Sequence, residues 1–204
     1  DFATFGLSYD FIDADDPTSW KRKLRPSTKA IYVESMSNPL LQVGELKAIT
    51  WFAKEHDLIA IIDNTFASPV NFRPLDWGFD VSLHSATKYL NGHSDIVAGV
   101  VLGRAELVTK ITHKLNHLGG SLDPHAAFLL HRGPKTLAVR VRYQNDSALK
   151  IAQFLEQHPA VAKVNYPGLT SHPRYERARE LFDGFSGMLS FEVRGGVEAA
   201  ERFM

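Results

Sequence analysis

The chain has no cysteine among its 204 residues. That excludes disulfides and cysteine-ligated metal sites within it, and it fits a reducing compartment. It has no excess of either charge: 23 basic and 23 acidic side chains balance. With no basic tract either, nothing marks a nucleic-acid footprint. No apolar run approaches the ~20 residues of a membrane span. No signal-peptide pattern is visible in the first residues given. What remains is an ordinary globular composition, 44% hydrophobic and 23% charged, with room for one or two domains of ~100–200 residues. The chain starts at Asp1 and stops at Met204 inside a helical pattern, Val197 to Met204. We read it as an internal portion of a longer protein.

Strand-like and helix-like segments alternate. Leu7 to Ile12 is a short strand candidate. Asp15-Asp16-Pro17 supplies a helix start, an acidic cap with proline in the first turn. Ala30 to Glu34 reads as a strand. Glu45 to His56 reads as a helix with Leu46, Ile49 and Phe52 on one face. Leu58 to Ile62 is nearly all apolar, as a strand covered on both faces would be. Asp80 to Leu83 and Ile96 to Leu102 complete a β-α-β-α-β order, which predicts a mostly parallel sheet flanked by helices. Ala105 to Leu118 and Pro124 to Arg132 follow as helices. Gly133-Pro134 opens a longer helical pattern that spans ~36 Å if unbroken to Gln157. Val161 to Tyr166 and Met188 to Val193 read as strands, with Pro173 to Phe182 as a helix between them. A soft boundary near Asp146 divides residues 1–145 from 146–204.

The densest chemical signal is Ser85-Ala86-Thr87-Lys88, directly after the Val81–Leu83 run. A lysine held away from water there is available as a nucleophile toward a carbonyl, because desolvation disfavours the ammonium. The Ser85 and Thr87 hydroxyls can donate to a phosphate ester. An aldehyde that carries a phosphate suits this set, and pyridoxal 5'-phosphate (PLP) is such a compound. Ligands of open parallel sheets bind outside the carboxyl ends of the strands. Asp63 ends one apolar strand and Glu34 another, with Asn38 four residues on in a Ser-Asn-Pro turn. A carboxylate beside the pyridine nitrogen keeps the ring an electron sink. Asn38 is a candidate donor to the ring hydroxyl.

Each residue taken alone has a plainer reading. Most lysines are solvated, an Asp-Asn pair after a strand is commonly a turn, and Ser or Thr before a helix is commonly a cap. The ordered combination carries the argument. Other signals point elsewhere. His113 and His117 have helical i, i+4 spacing but no HExxH context, so no metal site is expected. Gly119-Gly120 reads as a flexible turn. Ser186-Gly187-Met188 reads as structural, although it looks like a phosphate-cradling loop.

The stretches Glu34-Ser35-Met36-Ser37-Asn38-Pro39-Leu40, Asp63-Asn64-Thr65-Phe66 and Ser85 to Asp95 together resemble the PLP-dependent Cys/Met metabolism family. That family includes cystathionine γ-synthase, cystathionine β-lyase, cystathionine γ-lyase and methionine γ-lyase. Leu130 to Leu137 and Tyr166-Pro167-Gly168-Leu169 match in kind and order. The resemblance implies a type I PLP-dependent transferase fold, aspartate aminotransferase-like, with the start of a smaller α+β C-terminal domain after residue 145. It implies that Lys88 carries PLP covalently and shuttles protons, and that Asp63 pairs with the pyridine nitrogen. Ser85 and Thr87 would bind the phosphate, Asn38 would sit near the ring hydroxyl, and Glu34 would support that corner. The expected activity is β/γ-elimination or γ-replacement on sulfur amino acids or activated homoserine, in a cytoplasmic homotetramer with active sites at a dimer interface. Alternatives are another type I PLP enzyme, such as an aminotransferase, or an inactive α/β assembly module. The family's upstream glycine-rich loop, ring-stacking tyrosine and downstream carboxylate-binding arginine have no counterpart here, so this segment alone is expected to be inactive. Met36 stands where the family usually has proline.

Overall fold

The computed structural model describes residues 2–204. Four strands form one sheet in the order β1 (Ala30–Glu34), β2 (Ile59–Asp63), β3 (Val81–Ser85) and β4 (Gly99–Gly103). The first three run parallel, and β4 is antiparallel to β3. Strand alternation decides which face is covered. Ile31 and Val33 of β1, with Ala60 and Ile62 of β2, are buried in one core. Tyr32 on the opposite face is exposed, and Ile59 and Ile61 are only partly buried. The expectation that β2 is covered on both faces is therefore corrected. The helices that bury this sheet lie on one side, and nothing comparable covers the other among the described residues.

Helix α1 (Pro17–Lys23) starts where its acidic cap predicts: Asp16 Oδ1 accepts the Thr18 N–H at 2.9 Å. It buries Trp20. Helix α2 (Leu46–Glu55) crosses from β1 to β2 and buries Leu46, Ile49, Phe52 and Ala53. A short helix, α3 (Ser68–Asn71), and a 3-10 turn, Pro74–Trp77, lead from β2 to β3. The strand expected over Leu7 to Ile12 does not form. Its alternating side chains Leu7, Tyr9 and Phe11 are exposed, and it pairs with no strand among the described residues. Asp10 instead anchors the segment through Lys23 and Arg25.

Helices α4 (Ala105–Leu118) and α5 (Pro124–Arg132) have the expected bounds. The Gly119-Gly120 turn between them has φ values of 83 and 84°. The long helix is interrupted: Gly133–Thr136 is a separate 3-10 turn, and α6 runs Leu137–Glu156, ~30 Å. Pro134 supplies no backbone N–H, and Thr136 leaves helical dihedrals at φ −116°, ψ 5°. Strands β5 (Val161–Asn165) and β6 (Ser190–Val193) form a second, antiparallel sheet, flanked by α7 (Tyr175–Leu181) and α8 (Gly196–Phe203). Helix α7 begins two residues later than expected, and α6 passes unbroken through Asp146. Ala178, Leu181 and Phe182 join the core under the four-stranded sheet, whereas Tyr166 and Leu169 pack on Ala148 and Ala152 of α6.

Charge also ties α7 to the first half of the chain. Asp15 receives Arg174 and Arg177, and Arg177 also reaches Glu45 and the Val43 carbonyl. Burial acts to raise the Asp15 pKa, but the two guanidinium groups overcome it and hold it below the usual carboxylate range.

Candidate active site

Chain reversal from β3 to β4 is made by one locked turn. The Lys88 N–H donates to Ser85 O at 3.1 Å, and the Gly92 N–H donates to Lys88 O at 2.8 Å. The Thr87 hydroxyl accepts the Ala98 N–H at 2.9 Å and so joins the two sides of the turn. Asn91 and Arg132 both donate to Asp95. The Asn91 amide is the main reason that the Asp95 carboxyl titrates below its ordinary range. Arg140 of α6 donates to Tyr89 O at 3.0 Å, to Gly133 O at 2.9 Å and to Thr136 Oγ1 at 3.1 Å. Burial lowers its pKa, and no carboxylate pairs with it among the described residues. Gly133 and Gly92 leave the space this packing needs.

Lys88, Thr87 and Asn38 face one cavity of about 890 Å³. Phe66, Tyr89, Ile96, Val97, Arg140, Gly187 and Met188 share its wall. Lys88 itself is exposed, which corrects the expectation that it is held away from water. Asp63, Glu34 and Ser85 are not on the cavity wall. Glu34 and Asp63 are paired in register at the ends of β1 and β2. The Glu34 carboxylate accepts the Asn38 N–H at 3.2 Å. Asp63 Oδ1 accepts the Thr65 N–H at 2.8 Å, which leaves Oδ2 with no protein donor among the described residues. Ser85 joins the same corner through its N–H, which donates to Thr65 Oγ1 at 2.7 Å.

Two side chains that the sequence reading missed flank these carboxylates. Burial, then Asp63 and Glu34, push the Tyr32 phenol up to about 12. Burial lowers the pKa of His84, with Asp63 acting in the opposite direction. The His84 Nε2 lies 3.3 Å from Ser82 Oγ. His84 is visible in the sequence as the residue before Ser85, but nothing local marks it. Arg140 and the Gly187-Met188 wall lie far along the chain from Lys88. Gly187 and Met188 of the stretch read as structural line the cavity. The rings of His113 and His117 lie 4.4 Å apart on α4.

This donor set fits PLP. The cavity lies within the ~300–1,000 Å³ usual for ligand sites. It presents an amine, a hydroxyl and an amide together, and a carboxylate oxygen at the neighbouring strand end lacks a donor. A lysine on a cavity at the carboxyl edge of a parallel sheet is the arrangement of a type I PLP-dependent α/β enzyme.

The comparisons give the particular family. Residues 2–204 match the model of the Cys/Met metabolism PLP-dependent enzymes, and the chain belongs to that family. It is 48% identical over 196 residues to a probable cystathionine γ-synthase of Herpetosiphon aurantiacus, which covers 96% of this chain and 61% of the relative. It is 43% identical over 200 residues to a cystathionine γ-lyase of Bacillus subtilis, covering 98% of this chain and 52% of the relative. A crystal structure of cystathionine γ-lyase from Lactobacillus plantarum, complexed with L-serine, superposes with a TM-score of 0.92 at 43% identity. That match covers 96% of this chain and 51% of the other. The fold is thus the expected PLP-dependent α/β fold, and the chain spans between half and two thirds of these relatives.

Proposed function

We propose that the chain is the lysine-bearing part of a PLP enzyme that eliminates or replaces at the β or γ carbon of sulfur amino acids or activated homoserine. The observation that carries this reading is Lys88 on the cavity with Thr87 and Asn38, beside the paired ends of β1 and β2. When bound, PLP supplies an electron-withdrawing ring that stabilises negative charge on the carbon next to the substrate amine. Lys88 would hold the coenzyme through its ε-nitrogen. With the substrate amine in its place, the Lys88 amine would take the proton from the substrate α-carbon. For γ-chemistry it would hand that proton on and, neutral again, take a second from the β-carbon. Asp63, at the neighbouring strand end, would pair with the ring nitrogen through its undonated Oδ2. Thr87 on the cavity wall would take the phosphate, with Ser85 behind it. Asn38 would take the ring hydroxyl, with its own N–H held by Glu34.

Residues 1–145 form part of the larger PLP-binding domain in this reading, and residues 146–204 begin the smaller one. The exposed apolar side chains Ile111, Leu115, Leu118 and Phe128 of α4 and α5 support a homotetramer with active sites at a dimer interface. The lack of cysteine supports a cytoplasmic setting. No helix of the described residues is long and apolar enough to cross a membrane.

The test uses the full-length protein supplied with PLP. Borohydride should fix the coenzyme on Lys88, and Lys88→Ala should abolish both the trapping and turnover. Product assays with cystathionine, with methionine, and with O-acylhomoserine plus cysteine then assign the reaction. Protein that stays colourless with ample PLP, or Lys88→Ala with undiminished turnover, refutes the proposal.

A further inference from the structure

The residue after Lys88 reaches across the cavity. The Tyr89 hydroxyl lies 3.1 Å from Ser186 Oγ and accepts the Gly187 N–H at 3.1 Å. Ser186 Oγ also accepts the Met188 N–H at 3.2 Å. On the far side of the loop, the buried Tyr166 hydroxyl donates to Ser186 O at 3.0 Å. Ser186 has φ 78°, a left-handed conformation that a non-glycine residue keeps only when its surroundings hold it there. Gly187 has no room to move inward. A Cβ there would lie 2.9 Å from Gln144 Cβ and 3.2 Å from the Tyr89 hydroxyl.

Two distant parts of the chain therefore meet at one phenol. The backbone of Tyr89 is fixed by Arg140, independently of its hydroxyl. Lys88 is fixed by its own turn bonds to Ser85 and Gly92. The Ser186–Met188 loop meets the hydroxyl at Ser186 Oγ and at the Gly187 N–H, and Gly187 and Met188 line the cavity. Loss of the hydroxyl removes two of the loop's hydrogen bonds and leaves those to Tyr166 and within the loop, while the lysine turn stays bonded.

We propose that Tyr89 is a positioning residue whose hydroxyl latches the Ser186–Met188 loop to the lysine turn, so setting the cavity wall that the substrate side chain meets. The inference rests on the reading of Lys88 as the PLP lysine. A residue acting this way changes substrate binding more than the chemistry at Lys88, because the bonds that orient the lysine do not involve the phenol.

The test is Tyr89→Phe in the full-length protein, with Ser186→Ala and the double variant beside it. In the coenzyme-free protein, amide exchange at Gly187 and Met188 should quicken about tenfold or more in Tyr89→Phe while Ile62 stays protected. In the coenzyme-loaded protein, KM for the amino-acid substrate should rise about tenfold with kcat changed less than about threefold, and the coenzyme absorbance should not move. Ser186→Ala should reproduce part of both effects, and the double variant should fall short of the sum of the two single variants, since they share the Tyr89–Ser186 contact. Unchanged exchange at 187–188 overturns the latch. So does a fall in kcat with a shifted absorbance band and constant KM, which would place the effect on Lys88. A wild-type protein that takes up no PLP overturns the functional reading instead, and the exchange measurement, which needs no coenzyme, tells the two failures apart.

Discussion

Gly133→Ala tests how tightly the lysine turn is packed. Gly133 opens the 3-10 turn between α5 and α6, with φ −53° and ψ −49°. Backbone preference alone favours alanine at such helical dihedrals by ~0.5–1 kcal/mol. Packing opposes it. A Cβ there would lie 2.3 Å from Leu90 O, 2.6 Å from Asn91 O and 2.8 Å from Asn91 Cα. All three are backbone atoms of the turn that carries Lys88, so no side-chain rotation relieves the clash. Ordinary contact returns only after a backbone displacement of about 1 Å. Overpacking of this kind costs ~1–3 kcal/mol, which outweighs the propensity gain. The displacement also stretches the bond from Arg140 to Gly133 O. A misplacement of about 1 Å beside a reacting group lowers turnover by up to ~100-fold. Urea unfolding of the full-length protein measures the first effect and steady-state turnover the second. Gly99→Ala is the control: its Cβ would meet only His84 O, at 4.0 Å. It should stay within ~0.5 kcal/mol of wild type. A Gly133→Ala protein as stable and as active as Gly99→Ala refutes the reasoning.

Two further outcomes follow from the buried polar groups. Asn71 and Asn145 exchange reciprocal amide hydrogen bonds at 3.1 and 2.8 Å, and Asn71 is buried. Asn145→Ala orphans the Asn71 amide and should cost ~1–3 kcal/mol in urea unfolding, and a loss below ~0.5 kcal/mol would contradict the pairing. Burial lowers the pKa of His84 below its ordinary 6.5. Between the folded and unfolded values the unfolded chain binds more protons, so stability present above about pH 6.5 is lost as pH falls through the folded pKa. His84→Gln should flatten part of that decline when Tm is followed from about pH 7.5 to 5.5, and an undiminished slope would show that His84 is not its source. His172, lowered by burial and by Arg174 and Lys163, contributes in the same direction and remains in the variant.

Local signals carried the element assignments that succeeded. Asp16-Pro17 caps α1, Ala30 to Glu34 forms β1, and the bounds of α4 and α5 follow their own periodicity. Each depends on residues within a turn or a strand of one another. The failures depended on neighbours. Leu7 to Ile12 alternates like a strand but pairs with neither edge of the four-stranded sheet among the described residues. Gly133–Thr136 runs directly into the apolar pattern of α6, yet it tightens into a separate turn against Leu90 and Asn91.

At the site, residue types and order were enough to single out Lys88, Thr87 and Asn38, which share the cavity, and the strand ends at Glu34 and Asp63. Those groups sit beside rigid strand termini, so their chemistry is written in short stretches of sequence. Only the folded chain decided that Asp63 and Ser85 lie off the cavity wall, that Lys88 is open to solvent, and that Arg140 clamps the turn after it. The same holds for Tyr89 meeting Ser186 across nearly a hundred residues of chain. Such contacts join side chains by distance in space, and no periodicity or motif along the chain encodes which distant surfaces will pack together.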